Sequence, residues 1–280
     1  MTNGVPRIFD AHAQAQHRAR AARMAADRFL VREALEGIKA RLAPVKRPFA
    51  TALSLDGDGS GALEDIAASW RAASFGKDEV LDAGNGYDLA VSVLRLHGMN
   101  DLPGALVQIR QALKADGLFV GALFGGATLF ELRDSLAAGE LAILGGITPR
   151  VTPFADVREL GGLLQRAGFA MPVADVERTT VHYREFHTLA NDLRAMGESN
   201  ALIGRRPLSR ATLAAALAHY RVEHAEPDGR LRASFEIVYL TGWAPDASQP
   251  KPLRPGSAQM RLADALGVAE HKTGDKAEPG

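Results

Sequence analysis

The chain has 280 residues, with 33 basic and 33 acidic side chains, eight histidines and no cysteine, so its formal net charge is zero. That balance removes the electrostatic reason to expect a nucleic acid or an acidic membrane as partner, and the missing thiols exclude disulfides, thiolate metal sites and cysteine nucleophiles. No apolar run approaches the roughly 20 residues of a membrane-spanning helix, and no apolar signal region follows Met1.

Residues 1–48 read as an N-terminal helical segment: Leu30, Leu35, Ile38 and Leu42 recur at helical spacing, and Pro44 and Pro48 close the run. Arg18, Arg20, Arg23 and Arg28 make a basic surface, read as a solvated helix face before an anion site. An Arg-rich, acid-poor start is also the composition of a mitochondrial transit peptide. Residues 50–55 form the first strand, followed by Asp56, Gly57, Asp58 and Gly59. Glycine between a strand and a helix lets a nucleotide-like ligand approach the backbone near helix N-terminal amides. The acids would also suit calcium, but the loop lacks the length and closing Glu of an EF-hand. A short helix is expected over 62–71 and two minimal strands over 72–75 and 79–82. Only 87 − 55 = 32 positions separate Leu55 from Tyr87, so this edge of the sheet is expected to be trimmed.

Tyr87 to Leu94 is a mostly apolar run of strand length. A polar turn with His97, Asn100 and Asp101 follows, and Pro103 sits in the first turn of a helix carrying Ala105, Leu106, Ile109 and Leu113. After Asp116-Gly117, residues 118–124 make a second buried strand that ends in Gly125-Gly126. Strand, helix and strand in this order form a parallel crossover, and ligands bind past the carboxyl ends of such strands. His97, Asn100 and Asp101 are therefore either turn formers or ligand-facing. Thr128 suits an N-cap and Glu131 the first helical turn. Residues 145–154 are a loop by composition. A helix over 157–167 stops at Gly168, and a strand begins around 172–176. A helix over 183–200 ends in Gly197-Glu198-Ser199-Asn200. Helix stopping needs only Gly197, which leaves Glu198 and Asn200 as functional candidates. A last helix over 208–220 and a closing strand over 235–243 precede a tail, 244–280, expected to be flexible. The histidines are scattered, and neither a zinc-type cluster, a Gly-x-Ser-x-Gly elbow nor a P-loop is present, so no metal is expected.

These residues carry a resemblance. Leu94-x-Leu96-His97-x-x-Asn100-Asp101-Leu102-Pro103, with Leu113-Lys114-x-Asp116-Gly117 behind it, resembles the fourth and fifth strand region of class I S-adenosylmethionine (SAM) methyltransferases. Phe124-Gly125-Gly126-Ala127-Thr128-Leu129-Phe130-Glu131-Leu132-Arg133 and Met196-Gly197-Glu198-Ser199-Asn200 are similar to the respiratory complex I assembly-factor branch, near the biotin-pathway malonyl-carrier O-methyltransferases. Ile8-Phe9-Asp10 resembles that branch's folded N-terminal helix, and Gly256-Ser257-Ala258 a signature after its last strand.

The resemblance implies an α/β, Rossmann-like SAM methyltransferase three-layer sandwich over 49–243, here with a shortened second and third strand edge. It implies SAM against Asp56, Gly57, Asp58, Gly59, Leu96 and His97, and a partner-facing mouth of Asn100, Gly125, Gly126, Arg133, Glu198, Ser199 and Asn200. No catalytic residue is assigned. The implied substrate is a protein, an arginine of a respiratory complex I subunit, modified by hydroxylation in that branch; the implied location is the cytoplasm of a bacterium or the mitochondrial matrix. The sequence also departs from the pattern. Ser54 stands where an acidic residue is expected, Asp56 replaces the first glycine, and Asp78, Glu79 and Asp82 are the only acids near the end of a second strand to hold the ribose. Asp56 and Asp58 would oppose the carboxylate of SAM and weaken it. Two functions follow: a SAM-dependent enzyme, or a degenerate, non-catalytic homologue that keeps the mouth as an assembly or binding factor.

Overall fold

All seven residues of Tyr87–Val93 are buried, as in a strand covered on both faces. The structure, a computed structural model, describes residues 7–55 and 61–250. Among them, six strands make one sheet: β1 (Phe49–Leu55), β2 (Ala67–Ala73), β3 (Tyr87–Val93), β4 (Leu113–Phe124), β5 (Ala170–Tyr183) and β6 (Leu231–Trp243), in the order β2-β1-β3-β4-β6-β5. The first four run parallel, and β6 is antiparallel to both β4 and β5. Seven α-helices accompany them: α1 (Ala11–Ala21), α2 (Phe29–Leu42), α3 (Leu102–Ala112), α4 (Phe130–Leu144), α5 (Val157–Arg166), α6 (Phe186–Met196) and α7 (Arg210–Glu223). None of these is long and apolar enough to cross a membrane.

The period-2 alternation of the strands divides the core in two. Val120, Ala122 and Phe124 of β4 face one side, where Leu30, Ala34 and Ile38 of α2 cover them. Phe119 and Leu123 face the other, against Leu106 and Ile109 of α3 and Leu160 and Leu164 of α5. The result is the expected three-layer α/β sandwich, with β1, β3 and β4 adjacent and parallel.

The trimmed edge is real, but its parts differ from expectation. Residues 62–71 are not a helix: a single 3-10 turn, Glu64–Ile66, leads directly into β2. β1 is central enough that its outer row of backbone groups must be paired, and that demand overrides the weak helical pattern of 62–71. The strand expected over 79–82 is only an isolated bridge between Phe75 and Leu81. The 74–86 loop instead lays Phe75, Leu81 and Ala83 on the second core beside Leu53 and Leu55. Glu79, left-handed at φ +58°, ties this loop down: its carboxylate accepts the backbone N–H of Asn100 at 2.8 Å and of Asp101 at 2.7 Å, and the side-chain amide of Asn100 at 2.9 Å.

At the other edge, β5 runs seven residues past Val176 and α6 begins only at Phe186. The stretch 177–183 alternates and carries Thr179, Thr180 and Val181, which suit a strand. The N-terminal segment holds two helices. Asn100 Oδ1 accepts the N–H groups of Ile8 and Phe9, each at 2.8 Å. The Asp10 N–H donates to the Ala201 carbonyl at 2.8 Å, and the Asp10 side chain caps α1. α1 is thus strapped over the turn after β3, where Gln14 donates to the Gly98 carbonyl at 2.8 Å. Replacing Asn100 with alanine removes this acceptor and should cost about 1–2 kcal/mol, seen as a lower denaturant midpoint with unchanged slope. An unchanged midpoint would mean that water serves those N–H groups equally well.

Candidate functional site

The carboxyl ends of β3 and β4 assemble the site. Leu94, just past β3, is left-handed at φ +48° and donates its N–H to the Ala122 carbonyl at 2.7 Å. This bend delivers His97, whose side chain is 5% exposed and lies between Phe124 at 4.9 Å and Phe154 at 5.4 Å, ring to ring. His97 Nδ1 accepts the Phe124 N–H at 3.4 Å, and Nε2 lies 3.1 Å from Glu198 Oε2. That bonding assigns the proton to Nε2, which donates to the carboxylate.

Glu198 is aimed by the end of α6. Gly197 takes the left-handed conformation at φ +83°, and the Glu198 N–H reaches back to the Leu193 carbonyl at 2.8 Å. Burial alone would push the Glu198 carboxyl up, but His97 first, then Arg95 and Arg18, hold it below the usual carboxylate range. It is therefore an anion at neutral pH.

Glu198 opens onto a cavity of about 220 Å³ between α4, α6 and the 145–154 loop. Phe124, Leu129, Leu132, Phe154, Leu193 and Phe235 make its apolar walls, and Glu198, Ser199, Asn200, Thr152, Arg150 and Arg194 its polar part. Behind the His97–Glu198 pair, under α1, lies a second cavity of only about 30 Å³, lined by Gln14, Arg18 and Arg95 among others. It has room for a water or two and no more.

The residues expected at the mouth separate into two groups. Glu198, Ser199 and Asn200 line the large cavity, with His97 bonded behind Glu198. Ser199 also accepts from Arg20 at 3.2 Å, and Asn200 accepts the Leu202 N–H at 2.9 Å. The others make contacts within the fold. Asn100 holds the N-terminal strap. A Cβ on Gly125 would meet Glu236 Oε1 at 2.5 Å and Val238 Cγ2 at 2.7 Å, so this glycine allows close packing on β6. Gly126 lies beside the 154–156 backbone. Arg133 donates to the carbonyls of Thr128 at 3.2 Å, Thr152 at 3.4 Å and Gly126 at 3.5 Å, clamping the loop to the start of α4. Leu96 is 1% exposed and packs in the second core. Asp56, Gly57, Asp58 and Gly59, like Gly256-Ser257-Ala258, lie outside the described residues.

The aromatic walls were not singled out from the sequence, because Phe124 and Phe235 read as strand core and Phe154 as the end of a loop. The anchor of that loop was missed as well. Glu140 is fully buried and accepts from Thr148 N–H at 2.6 Å, from the Thr148 hydroxyl at 2.7 Å and from Arg150 at 2.6 Å.

Among the described residues the ribose side of a SAM site is incomplete, and the 56–60 loop that would face the methionine end lies outside them. The strand beside β1 ends at Ala73, and Asp82 is exposed in the loop beyond it. Glu79 spends its carboxylate on the amides of Asn100 and Asp101, and Asp78 is 89% exposed beside Arg7. Among the described residues only the 3-10 turn Glu64–Ile66 lies between β1 and β2. A cavity of about 30 Å³ lies beyond β3, beside Gln14 and Arg18 of α1.

No protein-family profile matches the chain. It is 46% identical over 181 residues to the mitochondrial arginine-hydroxylase NDUFAF5 of Danio rerio, covering 64% of this chain and 56% of that protein. It is 34% identical over 185 residues to the malonyl-[acyl-carrier protein] O-methyltransferase of Gallionella capsiferriformans strain ES-2, covering 65% of this chain and 59% of that one. The chain thus spans little more than half the length of these curated relatives, and they are the two groups its motifs resemble. Among solved structures, the YcgJ protein of Bacillus subtilis matches with a TM-score of 0.51 at 9% identity, over 75% of this chain and 99% of that one. At that identity the likeness concerns the fold alone, which is the Rossmann-like fold of SAM-dependent methyltransferases.

Proposed function

We propose that this chain is a methyltransferase-shaped binding protein that seats an arginine side chain of a protein partner in the cavity between α4 and α6, with Glu198 as its counter-ion, and that it does so without SAM. The observation that supports this reading is an ionised, largely buried carboxylate at the polar end of an otherwise aromatic and aliphatic cavity. Arginine suits such a shape: its methylene stem lies along apolar walls, its guanidinium stacks on rings, and its fork matches a carboxylate. The cavity's own cations do not oppose the guest strongly. Arg150 is matched by Glu140 at 2.6 Å, and Arg194 sits at the exposed rim, bonded to Asn191 at 2.9 Å.

The likeness to a relative named as an arginine-hydroxylase supports arginine as the guest, and the resemblance drawn from the sequence makes a respiratory complex I subunit the first partner to try. A second reading, SAM-dependent modification of the same side chain, draws on the likeness to an O-methyltransferase. The 56–60 loop that would hold the donor's methionine end belongs to that reading.

The test is calorimetric titration with a short peptide bearing one central arginine, beside the same peptide carrying citrulline. Glu198→Gln keeps a hydrogen-bond acceptor for His97 but removes the charge. It should weaken the arginine peptide about tenfold or more, close to 1.4 kcal/mol, and leave the citrulline peptide unaffected. Equal binding of both peptides by the native protein would end the proposal. Saturable binding of SAM at millimolar concentrations would favour the second reading, with recovery on Asp56→Gly tracing the weakness to that loop.

A further inference from the structure

The histidines are scattered in the sequence, yet the fold brings two of them to one acid. His219 lies just before the last turn of α7 and His224 is its C-cap, and both face Asp134 on α4. Asp134 Oδ2 is 2.8 Å from His224 Nε2 and 3.8 Å from His219 Nδ1. One donor atom from each residue lies within 4.8 Å of the other two. His219 Nδ1 is buried and lacks a hydrogen-bond partner, an unfavourable state for a ring nitrogen unless something binds there. The site is still reachable from solvent, because the Asp134 side chain is 56% exposed.

The surroundings favour a cation. The C-terminal end of the α7 dipole places partial negative charge beside His224, its C-cap. The Arg232 guanidinium lies over Phe130 at 6.0 Å and is engaged with Glu131 at 3.4 Å. The His224 ring is held edge-on by Phe130 at 5.9 Å and Tyr220 at 5.8 Å, so it is already oriented.

We propose that Asp134, His219 and His224 bind a late first-row divalent cation, with Zn²⁺ the natural occupant, and that the ion staples α4 to α7. Two imidazoles and a carboxylate are a sufficient set of three protein ligands, with water completing the tetrahedron. Zn–N and Zn–O bonds near 2.0–2.1 Å place donors roughly 3.3 Å apart, which the present positions reach by side-chain rotation. The ion lies outside the binding cavity. Leu132 and Leu136 line that cavity, and Asp134 is about 160° around the helix from each. One face of α4 therefore walls the cavity while the opposite face holds the metal, and occupancy stiffens that wall.

The test uses the untagged full chain, stripped with chelator and titrated with Zn²⁺ alone by calorimetry, with Co²⁺ as an absorption probe. One ion per chain is expected, with visible Co²⁺ bands displaced by Zn²⁺ and a melting temperature that rises with Zn²⁺ and falls back with EDTA. His219→Ala and His224→Gln should each weaken Zn²⁺ at least about tenfold, and the double variant, folded by circular dichroism, should lose the melting response. Absence of heat and of Co²⁺ bands at millimolar metal would overturn the site. So would an affinity that survives both histidine replacements.

Discussion

Replacing Glu140 with alanine is expected to destabilise the protein by about 3–5 kcal/mol, the cost of removing one partner from a buried ion pair. Glu140 is fully buried and Arg150 is 9% exposed, so the guanidinium left behind would keep only the carbonyls of Arg206 and Pro207. The same change frees Thr148 and with it the 145–154 loop, whose Arg150, Val151, Thr152 and Phe154 line the binding cavity. Stability and peptide affinity should therefore fall together. Glu140→Gln separates charge from shape and carries a pH signature. Burial works to raise this carboxyl, but the Thr148 bonds and Arg150 outweigh it and hold it below the usual range. A depressed native pKa stabilises fully above the unfolded-state value, about 4.3, and the contribution is lost as pH falls through the native value. The gap between native protein and Glu140→Gln should be full at pH 7 and close on acidification below about 4. A gap that stays constant with pH would show that Glu140 acts by shape alone.

The preceding residue gives a second large effect by a different route. Gly139 faces α7 so closely that a Cβ would lie 2.7 Å from both the Ala216 nitrogen and the Thr212 oxygen, and 2.9 Å from the Ala216 Cα. These are backbone atoms and cannot rotate aside. Gly139→Ala should lose up to roughly 2 kcal/mol, since an overpacking cost toward the upper end of about 1–3 kcal/mol exceeds the ~1 kcal/mol gained in helix propensity. Thermal denaturation measures it. Because the change pushes α7 from α4, Zn²⁺ affinity at Asp134, His219 and His224 should weaken with it. An unchanged melting temperature would mean that the helices are free to part.

What the sequence made legible, and what it hid, follows from how local each signal is. β3 and the 118–124 part of β4 are visible because strands buried on both faces read as continuous apolar runs. Glu198 stands out because the stop of α6 consumes only Gly197. The helix expected over 62–71 was wrong because nothing within that window records the unpaired edge of β1. Asn100 and Arg133 share the polar character of ligand contacts, but their partners include backbone groups, 91 residues away in one case and 19 in the other. The cavity itself was illegible. Its walls come from β4, α4, α6, β6 and a loop, and only the chain's topology sets them face to face. Asp134, His219 and His224 were hidden for the same reason.

The N-terminal strap has a consequence for synthesis. α1 buries only Ala13 and Ala21, and an isolated 11-residue helix is marginal in water. Its anchors arrive late: Asn100 is 92 residues beyond Ile8, and Arg205, which pairs with Asp10, is 195 residues beyond it. At about 5–20 residues per second on the ribosome, the segment waits roughly 10–40 s for its last anchor. α1 is thus made early and docked late, and until it docks the turn after β3 that carries His97 stands uncovered in the nascent chain.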